Sequence, residues 1–416
     1  MNKLRLPLNT RAIDSLIVFL LFFNLPVDMV NGILLNSGIN LPVSVSQLFK
    51  LVILVVILFR LLFFPGIAIF IVFTVYLLFF VSSIVQSFYT QSFGFLVDDF
   101  IKISRYLSIL IGFFYFRGLF KKTLNQKFEK YLFRWIYFSY VVLAVNLLVK
   151  LVGFGYPMYS AGNIGTKGFF YAGNEISAVL LILSGIIAYQ FWYINKNKVL
   201  YIGFLLLNIF LGVLISSKTA VLGIVLVFLV IAIDPKKIKL KINTVLTALA
   251  SFFVLIPIIV YFTYKLVLSS AVMIRLTYFW NKLDVITFVF SSRNIFVEKM
   301  WEHYKNDYNV VQKVIGGGQT FYESKIGTIV EIDLLDIFFA YGVTGALVFI
   351  LLLLLLLCKA YTHKSNPIYP YARLSYIMII ILTVISLFAG HIYSSGIGGF
   401  FIGFVFSMMY YKKENA

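Results

Sequence analysis

Apolar residues occupy this chain in long unbroken runs rather than in one-sided stripes. Stretches such as "LVILVVILFRLLFF" and "ALVFILLLLLLLC" are apolar on nearly every face of a helix. That is the pattern of a helix solvated by lipid, not of one half-buried in a soluble core. A helix needs about 20 apolar residues to cross the hydrocarbon. That window predicts spans near 13–30, 46–64, 66–85, 97–116, 132–153, 173–193, 199–216, 219–233, 244–263, 334–357, 371–389 and 396–411. The expected fold class is an all-α polytopic membrane protein with about twelve transmembrane helices, since lipid leaves the backbone no partner but itself.

The polar segments between these runs alternate in character. "RGLFKKTLNQKFEKYLFR", "NKNK", "DPKKIKLK", "KAYTHKSNP" and the tail "KKENA" are basic. The intervening "NSGINLPVSVSQ", "QSFYTQSFG" and "GYPMYSAGNIGTKGFFYAGN" are poor in Lys and Arg. Basic loops stay cytoplasmic, so both termini are expected inside. Met1–Arg11 is basic and precedes an apolar run, as in a signal peptide, but no small-residue cleavage site follows; a retained first helix is expected.

One connection departs from the others. Between the ninth and tenth predicted spans, residues 264–333 form a long external loop mixing acidic, basic and aromatic residues, Trp280 and Trp301 among them. Loops of this length are functional or disordered. The apolar content of "MIRLTYFWNKLDVITFVF" and "NIFVEKMWEHYKNDY" predicts an ordered, partly helical subdomain. The chain thus divides into helices 1–9 over 1–263, the loop subdomain over 264–333, and helices 10–12 with a tail over 334–416.

Composition agrees with a membrane class: 61% of the 416 residues are hydrophobic and 12% charged, with 45 Phe and 27 Tyr. The formal charge of +19 is spent in short loops as an orientation signal, which argues against nucleic acid as a partner. The single cysteine, Cys358, permits no intrachain disulfide. His303, His363 and His391 show no HxxxH or HExxH spacing, so no metal site and no cofactor are expected. No internal repeat is evident, and only the second half carries a large loop, which weakens a transporter built from inverted repeats.

Five groups of residues could carry chemistry. "TIVEIDLLDIFFAYGVTG" sets Glu331, Asp333 and Asp336 beside an apolar run. Thr328 and Glu331 fit a capping box, and acids in a first turn suit the helix dipole, yet three carboxylates beside hydrocarbon are costly for caps alone. Lys218 in "SSKTA" lies at a tight external turn, where a cation runs against the orientation rule; it is either a snorkelling lysine or an anion ligand. Arg293 in "SSRNIFVEKMW", and more weakly Arg275 in "VMIRLTYFW", could hold phosphate bidentately or form a surface pair, for Arg293 with Glu298. Lys102 and Arg105 lie within a predicted span, either paired with Asp98 and Asp99 or lining a cavity. "IGGGQTFYES" lacks the GK[ST] ending of a phosphate loop; its glycines suit a tight bend beside a ligand or helix.

The order and sidedness of these features resemble the O-antigen polymerase and O-antigen ligase superfamily, and most of all the Wzy-type polymerases of capsule or exopolysaccharide. The resemblance rests on "FFYAGNEISAVL", "SSKTAVLGIVL", "SSRNIFVEKMWEHY", "VIGGGQTFYE" and "VEIDLLDIFFAYGVTG", across the C-terminal two-thirds. It implies a metal-independent membrane glycosyltransferase of the bacterial cytoplasmic membrane, with its active site facing outside. Such an enzyme transfers glycan from a polyprenyl-diphosphate carrier to an acceptor sugar, and works beside a flippase and a chain-length regulator. By the same resemblance Lys218 and Arg293, with Arg275 in support, would bind the diphosphate. Glu331, or in its place Asp333 or Asp336, would act at the acceptor hydroxyl. Asn174 and Glu175 stand where the family opens a helix with a polar pair, and are further candidates to line the cavity. Counting back from Gly342, Glu331 and Ile332 occupy the place of the His-Asn pair of ligases, which favours a polymerase. A lipid-linked oligosaccharide flippase or polysaccharide exporter is the alternative from another class, and a ligase the alternative within this one.

Overall fold

The computed structural model describes residues 10–412 apart from 40, 42, 65, 92, 122–123, 160–162, 234–286 and 288–289. Among the described residues the chain is helical, with no strand. The helices are α1 (Thr10–Phe22), α2 (Asn24–Asn36), α3 (Val45–Leu61), α4 (Ala68–Thr90), α5 (Gly94–Phe120), α6 (Gln126–Leu148), α7 (Gly173–Tyr189), α8 (Lys198–Ile215) and α9 (Lys218–Ala232). After the undescribed stretch come α10 (Arg293–Asn306), α11 (Val310–Ile315), α12 (Gln319–Ile326), α13 (Asp333–His363), α14 (Ala372–Ser386) and α15 (Gly399–Ser407).

Seven helical stretches among the described residues are long and apolar enough to cross a membrane, and α9, α14 and the region of α15 are shorter apolar helices. The molecule is an integral membrane protein with an all-α, polytopic body. Every predicted span outside 234–286 overlaps a helix, and the first, 13–30, runs from α1 across a break into α2. The ninth predicted span (244–263) and Arg275 lie outside the described residues.

Helices α5, α7 and α15 form the centre, and α15 is buried along its whole length. Small residues let α5 and α15 approach closely. A Cβ on Gly403 would stand 2.7 Å from the Ile109 carbonyl oxygen, and one on Gly399 would meet the Ser108 hydroxyl. Trp135 of α6 stacks on Phe401 at 5.1 Å and donates its indole N–H to the Leu21 carbonyl at 3.0 Å. That bond satisfies the polar edge of an otherwise buried ring.

Three short helices, α10–α12, lie over the first half of α13. Gly342 interrupts α13 at φ 65° and ψ −167°, a backbone conformation that only glycine adopts without strain. The Ala340 carbonyl, two residues earlier, accepts the Gly318 N–H at 2.9 Å. Thr344 Oγ1 donates to the Val314 carbonyl at 3.0 Å. The glycines of "IGGGQT" therefore make a bend that seats on the α13 kink. A Cβ on Gly316 would lie 2.1 Å from the Ala340 oxygen.

The same cap is tied to the bundle through a buried carboxylate. Asp99 of α5 accepts from Thr320 N at 2.7 Å, Thr320 Oγ1 at 2.6 Å and Ser83 Oγ at 2.5 Å. Lys102, one turn along α5, pairs with Glu323 at 2.7 Å and donates to Thr320 at 3.1 Å. Lys102 thus pairs with neither Asp98 nor Asp99; the loop supplies a carboxylate within reach, and Asp99 is already engaged.

Candidate functional site

Three segments meet where α10 and α13 begin and α14 ends. Ser291 and Ser292 are both left-handed (φ 53° and 68°), so the chain turns sharply and delivers Arg293 as the first residue of α10. Glu331 is left-handed as well (φ 63°). Gly390 packs directly on the Glu331 backbone, where a Cβ would stand 2.1 Å from the Glu331 carbonyl oxygen. That approach brings the following residue, His391, over the Glu331 side chain.

The result is a cluster of one carboxylate and two cationic groups. Arg293 Nη2 lies 2.7 Å from Glu331 Oε2, and its Nη1 donates to the Phe388 carbonyl at 3.2 Å. His391 Nε2 stands 3.4 Å from Glu331 Oε1. Burial alone would raise the Glu331 carboxyl, but His391 and Arg293 outweigh it and hold it at about 2. Burial alone would lower the His391 imidazole, but Glu331, Glu175 and Asp333 push it up to about 9. At neutral pH the cluster therefore holds Arg293 and His391 as cations around one ionised Glu331. Arg293 Nε is buried with no hydrogen-bond partner among the described residues. Lys218 begins α9 at the same end of the bundle, close enough to Arg293 for the two cations to repel.

Glu331 is not the capping residue that its spacing from Thr328 predicts. Helix α13 begins only at Asp333, after Ile332 in an extended conformation, and the Glu331 carboxylate faces Arg293 and His391 instead. The Arg293 partner is likewise Glu331 rather than Glu298.

Asp333 and Asp336 do lie in the first turn of α13, and both are buried. Asp333 accepts four hydrogen bonds from one short segment. They come from the backbone N–H groups of His391, Ile392 and Tyr393 at 3.1, 2.9 and 2.9 Å, and from Ser394 Oγ at 3.0 Å. It holds the His391 loop. Asp336 accepts from the Tyr322 hydroxyl at 2.5 Å and the Val330 N–H at 3.0 Å, tying α12 to the start of α13.

Glu175, at the start of α7, grips the other end of the same loop. It accepts from Ser395 Oγ at 2.7 Å and from the Ile397 N–H at 2.9 Å. Arg105 lies beside Gly396, and both Arg105 and Glu175 line a cavity of about 620 Å³ between α2, α3, α5, α7 and α15. Asn174 and Lys102 are not among the residues that line it. Among the described residues, no three His, Cys, Asp or Glu side chains are grouped so as to hold a metal ion.

His391 is the member of the cluster that sequence reasoning missed. Its only signal was a lone histidine in a Gly- and Ser-rich connection, "GHIYSSGIGG".

No curated protein matches the chain. Lys218, Arg105 and Glu175, with "FFYAGNEISAVL" and "SSKTAVLGIVL", precede the segment that a family model does match. That segment, residues 279–414, contains Arg293, Glu331, Asp333 and His391, and over it the chain is similar to the family described as O-antigen ligase like membrane protein.

Proposed function

We propose that this chain, similar over residues 279–414 to a family of polysaccharide-assembly membrane proteins, is a glycan polymerase. In this reading both termini are cytoplasmic, about twelve helices cross the bacterial cytoplasmic membrane, and the Glu331 cluster faces outside. The donor is an oligosaccharide repeat unit on polyprenyl diphosphate, and the acceptor is a sugar hydroxyl of a second lipid-linked chain. The observation that carries the reading is the Arg293–Glu331–His391 cluster, with Lys218 beside it.

The reaction needs what this cluster offers. The acceptor oxygen bonds to the anomeric carbon, the carbon–oxygen bond to the diphosphate breaks, and the bonding pair leaves with the diphosphate. Negative charge thus grows on the leaving group, where fixed cations stabilise it most. Arg293 and Lys218 bind the diphosphate, and His391, held protonated, donates a hydrogen bond to it. The unpartnered Arg293 Nε is a buried donor that a small shift would offer to the same anion.

The acceptor hydroxyl must lose a proton as it attacks. Glu331 is a weak base while two cations hold it at about 2. When the diphosphate draws those cations away, its proton affinity rises in the presence of substrate, and it takes up the hydroxyl proton. Asp333 serves as a support in this scheme, because both its oxygens are occupied by the loop. Asp336 is held through Oδ1 by Tyr322 and Val330, and its Oδ2 is buried without a hydrogen-bond partner among the described residues.

A ligase remains the second reading, and one observation favours it. The histidine that ligases carry at the position of Glu331 is missing from the sequence there, but His391 supplies an imidazole 3.4 Å from Glu331. A flippase or exporter draws support from Arg105 facing a cavity. A deletion strain separates these readings. A polymerase leaves single lipid-linked units on the outer leaflet, a flippase leaves them on the inner leaflet, and a ligase leaves finished polymer unattached. The reading also implies a flippase and a chain-length regulator as working partners.

A further inference from the structure

A second feature is the cavity between α3 and α5. The loop from Gly390 to Gly398 contributes His391 to the Glu331 cluster and Gly396 and Ile397 to the cavity wall. Four charged residues line this cavity, and three are engaged. Lys50 pairs with Asp28 at 2.6 Å, and Glu175 accepts from Ser395 and Ile397. Arg105 makes no side-chain hydrogen bond or ion pair with any described residue, although it lies three turns into a membrane-length helix. A cation at that depth that no carboxylate pairs directly is costly, and its usual resolution is a ligand or a partner.

The walls indicate the kind of ligand. Leu54, Ile101, Ile397 and Phe400 make the interior apolar. At the rim, Leu48, Val97 and Phe100 are exposed large hydrophobic side chains. On a membrane protein exposed apolar side chains face lipid, which gives the cavity an apolar approach between α3 and α5. We propose that it is a binding site for a phosphate-bearing lipid, which enters from the bilayer, lays its first chain atoms on the apolar wall and sets its phosphate against Arg105. The inference does not depend on the chemistry at Glu331. The same headgroup chemistry belongs to an ordinary anionic phospholipid and to a polyprenyl phosphate, and the test separates the two.

Full-length protein would be placed in nanodiscs containing phosphatidylglycerol, polyprenyl phosphate or the neutral phosphatidylcholine, and lipids retained after extraction counted by native mass spectrometry. Wild type is expected to retain one more phosphatidylglycerol or polyprenyl phosphate than Arg105→Gln. Ser104→Phe, which fills the cavity and leaves the cation in place, should lose the same lipid. Displacement of phosphatidylglycerol by equimolar polyprenyl phosphate would assign the site to the carrier class, and resistance to displacement would assign it to bulk phospholipid. Equal retention by wild type and both variants, or equal retention of phosphatidylcholine, would overturn the proposal.

Discussion

His391 Nε2 stands 3.4 Å from Glu331 Oε1, although the whole of α13 and α14 lies between them in the chain. The contact makes Glu331 the centre of a charge cluster rather than a helix cap, and several consequences can be measured.

The pair sets a pH window. His391 is raised from 6.5 to about 9, so its attraction to Glu331 is fully present below 6.5 and is lost as pH rises through about 9. Glu331 is lowered from 4.5 to about 2, so its share is present above 4.5 and lost as pH falls through about 2. Transfer activity is therefore expected to fall on the alkaline side near pH 9. His391→Gln should abolish that limb while lowering the plateau. An unchanged alkaline limb in the variant would remove His391 from the titration.

Arg293→Ala should reduce turnover by about 100-fold or more, the usual loss when a fixed donor to a developing anion is removed. Arg293→Lys should recover only part of it, since one ammonium cannot reach Glu331 and Phe388 together. Protein level and melting temperature, recorded beside the rate, separate this from misfolding. Equal rates for Lys and Arg at this position would contradict the geometry.

Asp333 should act through the loop it holds. Asp333→Asn turns one acceptor oxygen into a donor facing N–H groups, at a cost of about 1–3 kcal/mol per unsatisfied group. Hydrogen exchange at residues 391–394 should quicken markedly, and activity should fall with it. Normal protection of those amides would show that the four hydrogen bonds are not what fixes His391.

Gly342→Ala should weaken the seat of the "IGGGQT" bend. The residue has φ 65°, and a Cβ there would lie 2.5 Å from the Val314 oxygen. Strain of about 1–3 kcal/mol is expected, visible as a lower melting temperature and as easier proteolysis between α10 and α12. Gly327→Ala, where a Cβ meets nothing within 4 Å, should be milder.

The spans were legible because lipid accepts only helices whose backbone is satisfied internally, and the apolar windows mark them. Arg293 and Glu331 were legible singly, as charges set beside apolar runs. Their pairing was not, because it depends on left-handed backbone at Ser291, Ser292 and Glu331, where no glycine announces it. The same applies to Asp333. Its position in a first turn reads as dipole compensation, while its oxygens are spent on a loop that follows α14. His391 could be found only through the close approach of Gly390 to Glu331, a contact between segments distant in sequence. The family match covers residues 279–414, so the earlier motifs, Lys218 among them, stand on their own geometry.

The most direct test of the account is a transfer assay with purified full-length protein in nanodiscs, given only a defined polyprenyl-diphosphate oligosaccharide. Wild type should build a ladder of lengthened lipid-linked chains without nucleotide sugar. Glu331→Gln, at equal protein level and melting temperature, should leave single repeat units. No ladder from wild type, or a normal ladder from Glu331→Gln, would contradict the central claim that this cluster joins glycan units.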